Sequence, residues 1–156
     1  MAAVVPDLAG FPDLGRTRVM GVVNATPDSF SDGYPTTERA VRHGRDLLEA
    51  GADLLDVGGE STRPGAQRVP PDTELRRVLP VVEALVAAGA VVSVDTMRAS
   101  VARMSVQAGA LLVNDVSGGL GDPEMLGVVA GLGVAYVAMH WRGHSIDMQQ
   151  RAGYLD

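Results

Sequence analysis

The chain has 156 residues, of which 46% are hydrophobic and 21% charged, a length and composition typical of one folded domain. Its net charge is −6 at pH 7 and all 13 basic residues are arginines, so the excess of positive charge that nucleic-acid binding requires is missing. The absence of cysteine excludes disulfides, zinc–thiolate sites and thiol nucleophiles, and the absence of a basic leader or an apolar run of about 18 residues predicts a cytoplasmic protein without a membrane partner.

Five short apolar runs predict buried β-strands. They are Val19–Asn24, Asp53–Val57, Val91–Asp95, Leu111–Asn114 and Val134–Met139. The runs show little alternation of apolar and polar residues, which is typical of parallel strands that are covered on both faces.

Amphipathic segments of helical length lie between these runs. The first is Glu38–Glu49, the second is Asp72–Ala88, the third opens at Thr96 or Met97, and the fourth is capped by Asp122. A glycine is expected to end each of the first three helices, at Gly51, Gly89 and Gly109. Pro80 lies inside the second segment and is expected to kink that helix or split it.

This alternation of strands and helices fits two α/β architectures. One is a complete five-stranded doubly wound sheet, and the other is the first half of a (β/α)8 TIM barrel, which takes about 250 residues in full. A polar or small residue ends each of the five predicted strands. A barrel brings all its strand ends to one mouth, whereas a doubly wound sheet needs such residues mainly at its switch point. The pattern therefore favours the barrel, of which this chain supplies about the first five strands.

Two polar runs follow the first and second strands, and their chemistry suits anions and metal ions. Residues 24–33 contain hydroxyls, carboxylates and one aromatic side chain, and residues 58–65 begin with two glycines and include Arg63. A planar, always charged guanidinium matches the geometry of phosphate oxygens. The alternatives are an ordinary surface loop for the first run and a surface ion pair between Glu60 and Arg63 in the second.

Asp95 and Asn114 end the third and fourth predicted strands. Taken alone, Asp95 or Thr96 could simply cap the next helix, and the residues from Asn114 to Gly119 could be a turn followed by a flexible linker. As a pair they have a further use, because a carboxylate accepts two hydrogen bonds from an aminopyrimidine edge while an amide both donates and accepts.

The two polar runs together resemble the first and second loops of the dihydropteroate synthase family, and the resemblance covers about residues 19–142. In that family the residues that match Asn24 and Asp32 hold Mg²⁺. Those that match Thr62 and Arg63 contact the diphosphate of the substrate. The resemblance therefore implies Mg²⁺ as the cofactor, and Mg²⁺ does prefer oxygen ligands of this kind beside substrate phosphates.

The same resemblance implies two organic substrates, a pterin diphosphate and 4-aminobenzoate. Phe30 and Pro64 match residues beside the aminobenzoate. Asp95 and Asn114 match residues that bind the pterin ring, and Met139 matches a residue that packs near it. A full-length member of the family is expected to be a homodimer.

The reaction that the resemblance implies is displacement of diphosphate from the pterin methylene carbon by the aromatic amine. Asp95 and Asn114 are the candidate catalytic residues, because Asp95 would offset positive charge on the pterin as the diphosphate leaves. The leaving-group charge would be met by Mg²⁺, Asn24 and the second loop, which is electrostatic stabilisation without a covalent intermediate.

The chain also departs from the family pattern. The family uses a lysine and an arginine from later strands, whereas this chain contains no lysine and reaches only the fifth strand. We therefore expect a short leader, residues 1–18, that forms a small hairpin over the barrel floor, followed by half of the pterin-binding barrel at residues 19–156. We expect this chain to be inactive when it is alone. The alternatives are an inactive half-barrel fragment and the pterin-binding domain of a methyltransferase with the same barrel.

His140 and His144 are spaced four residues apart, as zinc ligands on a helix can be. They follow the last predicted strand in a loop, lack an evident third ligand and have no glutamate in the arrangement of a zinc protease. We therefore do not expect zinc there, and Trp141 between them is given no role.

Overall fold

The computed structural model describes residues 11, 13–26, 36–61 and 68–141. Its strands are β1 Met20–Asn24, β2 Leu54–Gly58, β3 Val92–Asp95, β4 Leu112–Asp115 and β5 Ala135–Ala138. Its helices are α1 Thr36–Glu49, α2 Pro71–Ala87, α3 Ala99–Gln107 and α4 Met125–Leu132. Strands and helices alternate along the chain, and the five predicted strands are confirmed to within one residue at either end.

The order of the strands distinguishes the two architectures. All neighbours are parallel, and the sheet runs β1-β2-β3-β4-β5 in the order of the sequence. A doubly wound sheet would place its first strand inside the sheet, because its order reverses at the switch point. Unbroken sequential order is the topology of a (β/α)8 barrel, so the predicted α/β fold is confirmed for five of its strands.

The outer face of the sheet packs against the helices. Val23, Leu55, Val57, Val94 and Val113 alternate along the strands and are completely buried there. Burying an aliphatic side chain of this size contributes about 1.5–3 kcal/mol. The opposite face, here called the inner face, carries the alternate residues and leaves apolar Val22 and Val137 exposed. The helices therefore stabilise the sheet from one side only.

The inner face is closed at the amino ends of its strands by an apolar floor. Phe11 packs there with Leu54 and Leu112. Beside the floor, the carboxylate of Asp53 accepts hydrogen bonds from both terminal nitrogens of Arg16, at 2.6 and 2.7 Å. The described residues of the leader, 11 and 13–18, contain no strand, and the remainder of the predicted hairpin lies outside the described residues.

Helices α3 and α4 begin later than predicted, at Ala99 and Met125. Thr96 does not open a helix, because its hydroxyl oxygen accepts the amide hydrogen of Arg98 in a turn that delays the start of α3. The first amide of α3, on Ala99, donates to a carboxylate oxygen of Asp122 at 2.8 Å. Asp122 therefore caps α3 from a distance, while its other oxygen closes the turn before α4.

Helix α2 runs unbroken through Pro80, so of the predicted kink or split the split is wrong. Packing of its apolar stripe outweighs the backbone hydrogen bond that proline cannot donate. The completely buried apolar side chains of this helix are Val78, Val81, Val82 and Leu85. Glu74 is buried with them, which the hydrophobic pattern did not indicate. None of the helices among the described residues is long and apolar enough to cross a membrane.

Candidate functional site

Three predicted site residues lie in one row across the carboxyl end of the inner face. The strand register pairs Asn24 with Gly58, Gly58 with Asp95, and Asp95 with Asn114. Partners in register point to the same side of a sheet, and adjacent strands are about 4.8 Å apart. Asp95 and Asn114 are therefore direct neighbours, whereas Asn24 stands two strands from Asp95.

Gly58 leaves room in the middle of this row. An added Cβ at Gly58 would lie 3.3 Å from a carboxylate oxygen of Asp95, which is tighter than ordinary contact. A ligand at this end of the sheet can therefore approach the backbone between Asn24 and Asp95. The row is open at one point and polar on both sides of it.

Asp56 is a buried residue of the site that was not predicted from the sequence. It lies two residues before Gly58 on β2 and is 4% exposed. One carboxylate oxygen accepts from the Ser93 hydroxyl at 2.6 Å, and the other accepts from the Asn114 side-chain amide at 2.8 Å. Burial raises the pKa of Asp56, although both hydrogen bonds oppose the shift. Because the side-chain nitrogen of Asn114 donates to Asp56, its side-chain oxygen Oδ1 is the atom that can accept a hydrogen bond from a ligand.

Asp95 lies among other carboxylates, and no cation of the described residues forms an ion pair with it. Burial, together with the charges of Asp56, Glu74, Asp115 and Glu60, raises the pKa of Asp95 to about 7. Within the described part of the chain, no hydrogen-bond donor contacts its carboxylate. The cap of the next helix is provided by Asp122, so Asp95 is not the helix cap that was weighed as the alternative. A carboxylate whose ionised form is destabilised in this way is typical of a binding or catalytic site.

The turn after β4 is organised by a single buried carboxylate. Asp115 accepts the amide and hydroxyl hydrogens of Ser117 on one oxygen, and the amide hydrogen of Gly119 and the Tyr136 hydroxyl on the other. Burial and the hydrogen bond to Asp115 raise the pKa of Tyr136. The segment that could have been a flexible linker is thus a hydrogen-bonded turn that directly follows Asn114.

Ion pairs hold the chain at Glu60, inside the second polar run, and at Arg68, which follows that run. Glu60 pairs with Arg68 at 3.1 Å and with Arg98 at 2.7 Å. Arg98 also pairs with the buried carboxylate of Glu74. The described partners of Glu60 are therefore Arg68 and Arg98.

The remaining predicted site residues divide into two groups. Met139 follows β5 at the same end of the sheet and is 51% exposed, which suits a pocket wall; its amide donates to the Asp115 carbonyl at 3.2 Å. Five lie outside the described residues, namely Phe30, Asp32, Thr62, Arg63 and Pro64. Among the described residues, which include His140, no group of three or more metal-binding side chains comes together.

Comparison with known proteins places this geometry in a family. Residues 20–156 match the family described as "Pterin binding enzyme". Dihydropteroate synthase from Mycobacterium leprae is 55% identical over 141 residues, which are 89% of this chain and 50% of that protein. Dihydropteroate synthase from Bacillus subtilis is 48% identical over 81% of this chain and 46% of that protein. The chain spans about half the length of the curated relatives it matches.

Solved structures give the same result. Xanthomonas albilineans dihydropteroate synthase with 4-aminobenzoic acid superposes with a TM-score of 0.79 at 57% identity, over 82% of this chain and 48% of that one. Yersinia pestis dihydropteroate synthase in a sulfonamide drug complex superposes with a TM-score of 0.85 at 45% identity, over 96% of this chain and 56% of that one. The five strands described above therefore correspond to about half of such a barrel.

Proposed function

The chain belongs to the family of pterin-binding enzymes, and we propose that it supplies the pterin- and diphosphate-binding half of a dihydropteroate synthase. The observation that carries the proposal is the row of Asn24, Gly58, Asp95 and Asn114 at the carboxyl end of the inner face. The reaction would join the methylene group of a pterin diphosphate to the amine of 4-aminobenzoate. The nitrogen–carbon bond forms, the carbon–oxygen bond to diphosphate breaks with its electron pair, and the amine loses a proton.

Asp95 and Asn114 are suited to hold the pterin ring. Adjacent strands place their side chains about 4.8 Å apart, the spacing at which two groups can share the edge of one ring. The side-chain oxygen Oδ1 of Asn114, whose side-chain nitrogen donates to Asp56, would accept a ring N–H. Binding a hydrogen-bond donor would favour the ionised form of Asp95 and lower its pKa from about 7. The ionised carboxylate would then offset positive charge on the pterin as diphosphate leaves.

Asn24 is suited to the diphosphate and to Mg²⁺. Its side chain is exposed at the end of β1, two strands or about 10 Å from Asp95, with the space above Gly58 between them. The amide oxygen is a hard ligand of the kind that Mg²⁺ accepts beside phosphate oxygens. When bound, the ion would neutralise charge that develops on the leaving diphosphate. Asp32, the other proposed ligand, and the proposed substrate contacts Thr62, Arg63, Phe30 and Pro64 lie outside the described residues.

A methyltransferase domain with the same barrel is the alternative enzyme. The relatives and solved structures reported above are named dihydropteroate synthases, and this favours the synthase. A homodimer and a cytoplasmic location stay predictions from the sequence.

The proposal is tested with a chimera, here called the synthase chimera, in which residues 1–156 precede the remaining half of the M. leprae dihydropteroate synthase. We expect it to form dihydropteroate from the pterin diphosphate and 4-aminobenzoate, and we expect the Asp95→Asn variant to lose most of that activity. The intact M. leprae enzyme is the positive control. A folded chimera that binds the pterin diphosphate but forms no product would support the inactive fragment instead.

The isolated 156-residue chain is the negative control. Its inner face leaves Met20, Val22, Val137 and Met139 exposed, so the described residues form only one wall of a pocket. We expect no product from it. Product formed by the isolated chain as a monomer would contradict the half-barrel account.

A further inference from the structure

Four charged side chains form a cluster where the chain leaves β2 and returns towards α2. The cluster consists of Glu60, Arg68, Glu74 and Arg98, and is here called the loop-base cluster. Glu60 uses both of its oxygens, one for Arg68 at 3.1 Å and the other for Arg98 at 2.7 Å. Arg98 also donates to the carboxylate of Glu74 and to the backbone carbonyl of Val69.

Arg98 therefore contacts the chain on both sides of residues 62–67. Glu60 lies before that segment and Val69 lies after it, yet one guanidinium bonds to both. Arg68, the first described residue after the segment, turns back to the same Glu60 carboxylate. The two ends of the segment are thus tied together at one point.

The loop-base cluster is fixed to the frame of the site. Glu74 is 1% exposed on α2, and its second oxygen accepts the Thr96 hydroxyl at 2.6 Å. The backbone amide of Thr96 in turn donates to the carbonyl of Asn114 at 3.0 Å. Arg98 and Asp95 line the same small cavity, of about 10 Å³. The loop-base cluster is therefore held in a fixed position beside the row of site residues.

The backbone before Glu60 is constrained independently. Arg77 on α2 donates to the carbonyl of Gly59 at 2.9 Å. A Cβ at Gly59 would lie 2.7 Å from a methyl group of Val78, so only glycine lets the chain pass this close to α2. The direction in which the chain leaves β2 is therefore set by α2, and Arg98 sets where it returns.

The chemistry of arginine accounts for this arrangement. Its planar guanidinium presents five donors in a fixed fork, so it can bond Glu60, Glu74 and a carbonyl group at once. Lysine has one charged nitrogen on a flexible stem and cannot span the same three acceptors. Because Glu74 is buried, loss of the cation beside it would leave a carboxylate without compensating charge.

We propose that Arg98 is a positioning residue, which joins Glu60 to Val69 and so fixes both ends of the segment that carries Thr62 and Arg63 relative to the pterin-binding row. This inference rests on the proposed function, because Thr62 and Arg63 are the residues expected to contact the diphosphate. In this proposal Arg98 acts through the segment and not by contact with the substrate. Its effect should fall on binding of the diphosphate and not on binding of the ring.

The first test needs no activity and uses the 156-residue chain. Amide hydrogen exchange is compared between Arg98→Lys and Arg103→Lys, since Arg103 is an exposed arginine on the neighbouring helix α3. We expect Arg98→Lys to speed exchange at residues 59–61, 68 and 69 by about tenfold or more, with the amides of β3 and β4 unchanged. Unchanged exchange at those residues would overturn the inference, whatever becomes of the proposed function.

The second test separates positioning from general stability and uses the synthase chimera. Arg98→Lys is expected to weaken binding of the pterin diphosphate with Mg²⁺ about tenfold, while binding of 6-hydroxymethylpterin, which lacks the diphosphate, stays within twofold. Arg103→Lys should change neither. Equal losses for both ligands, or no loss for either, would overturn the inference. Glu60→Gln removes the other half of the same ion pair without disturbing α3. It should weaken binding of the pterin diphosphate and leave binding of 6-hydroxymethylpterin within twofold. This second variant keeps the inference testable if the Arg98 variant fails to fold.

Discussion

Two aspartates at opposite ends of the same sheet are held in opposite ways. Asp53, at the amino end, accepts two hydrogen bonds from Arg16 and one from the amide of Val19, and these interactions lower its pKa. Asp95, at the carboxyl end, is half-buried near four other carboxylates, and its pKa is raised to about 7. The charge of Asp53 is compensated by Arg16, whereas among the described residues no cation pairs with Asp95.

The difference indicates how the molecule divides stability and function. The amino end of the inner face is closed by Phe11, Leu54 and Leu112, which bury apolar surface. The carboxyl end carries Asp56 and Asp95, whose burial costs free energy that a bound ligand can recover. Changes at the amino end should therefore alter folding, and changes at the carboxyl end should alter binding.

The largest expected effect is on folding, from Phe11→Ala. Truncating a buried phenylalanine removes its transfer free energy and leaves a cavity, so we expect the free energy of unfolding to fall by about 3 kcal/mol in urea unfolding. Leu14→Ala is the control, because Leu14 is 37% exposed and should cost far less. A Phe11→Ala variant that is as stable as the Leu14→Ala variant would show that the floor contributes little.

The next effect is on binding, from Asp95→Asn in the synthase chimera. Loss of a charged hydrogen-bond acceptor typically costs about 1.5–3 kcal/mol, so pterin affinity should fall at least about tenfold by calorimetry. Asp53→Asn removes a carboxylate from the opposite end of the sheet and should leave the affinity unchanged. Equal losses from both substitutions would mean that Asp95 acts only through the fold.

A third aspartate sharpens the comparison, because Asp115 is buried but fully hydrogen-bonded. Tyr136→Phe removes one of its four donors, and we expect the free energy of unfolding to fall by about 1 kcal/mol. The variant should bind the pterin normally, since Asn114 keeps its bond to Asp56. A loss of pterin affinity without a loss of stability would place Asp115 in the binding site.

The smallest effect is expected from Asp53→Asn on stability. A carboxylate with a lowered pKa contributes stability above its unfolded pKa of about 4, and that contribution is lost as the pH falls through its folded pKa. Asp53→Asn should therefore be slightly less stable than the parent at pH 7 and equal to it in strong acid. Because the ion pair is at the surface, 0.5 M salt should reduce the difference in stability between the variant and the parent. A difference in stability that is independent of both pH and salt would contradict this account.

The fold could be predicted from the sequence largely because its signals are local. Apolar runs without alternation marked the strands, and Gly51, Gly89 and Gly109 follow the first three helices with positive φ, as expected of helix stops. The starts of α3 and α4 could not be predicted in the same way. They depend on Asp122, which caps α3 across 23 residues of sequence.

The site was predicted only where the strand ends carried the signal. Asn24, Asp95 and Asn114 were found because each ends a strand. Asp56 was not assigned a role, because its partners Ser93 and Asn114 come from other strands and become visible only in the register of the sheet. Glu74 was given no role, because its partners Thr96 and Arg98 are more than 20 residues away in the sequence.

The most direct test of the central claim is the stability of Asp95→Asn against that of the parent chain between pH 4 and pH 9. The folded pKa is raised to about 7, so between about pH 4 and pH 7 the folded state holds a proton that the unfolded state has lost. Ionisation of this group should therefore lower the stability of the parent progressively across that window, and the effect should level off above pH 7. We predict that the free energy of unfolding of the variant equals that of the parent near pH 4 and exceeds it at pH 8. In the same buffer the variant should bind the pterin more weakly. A variant that is less stable than the parent at pH 8 would contradict the claim that Asp95 is held for binding at the expense of folding.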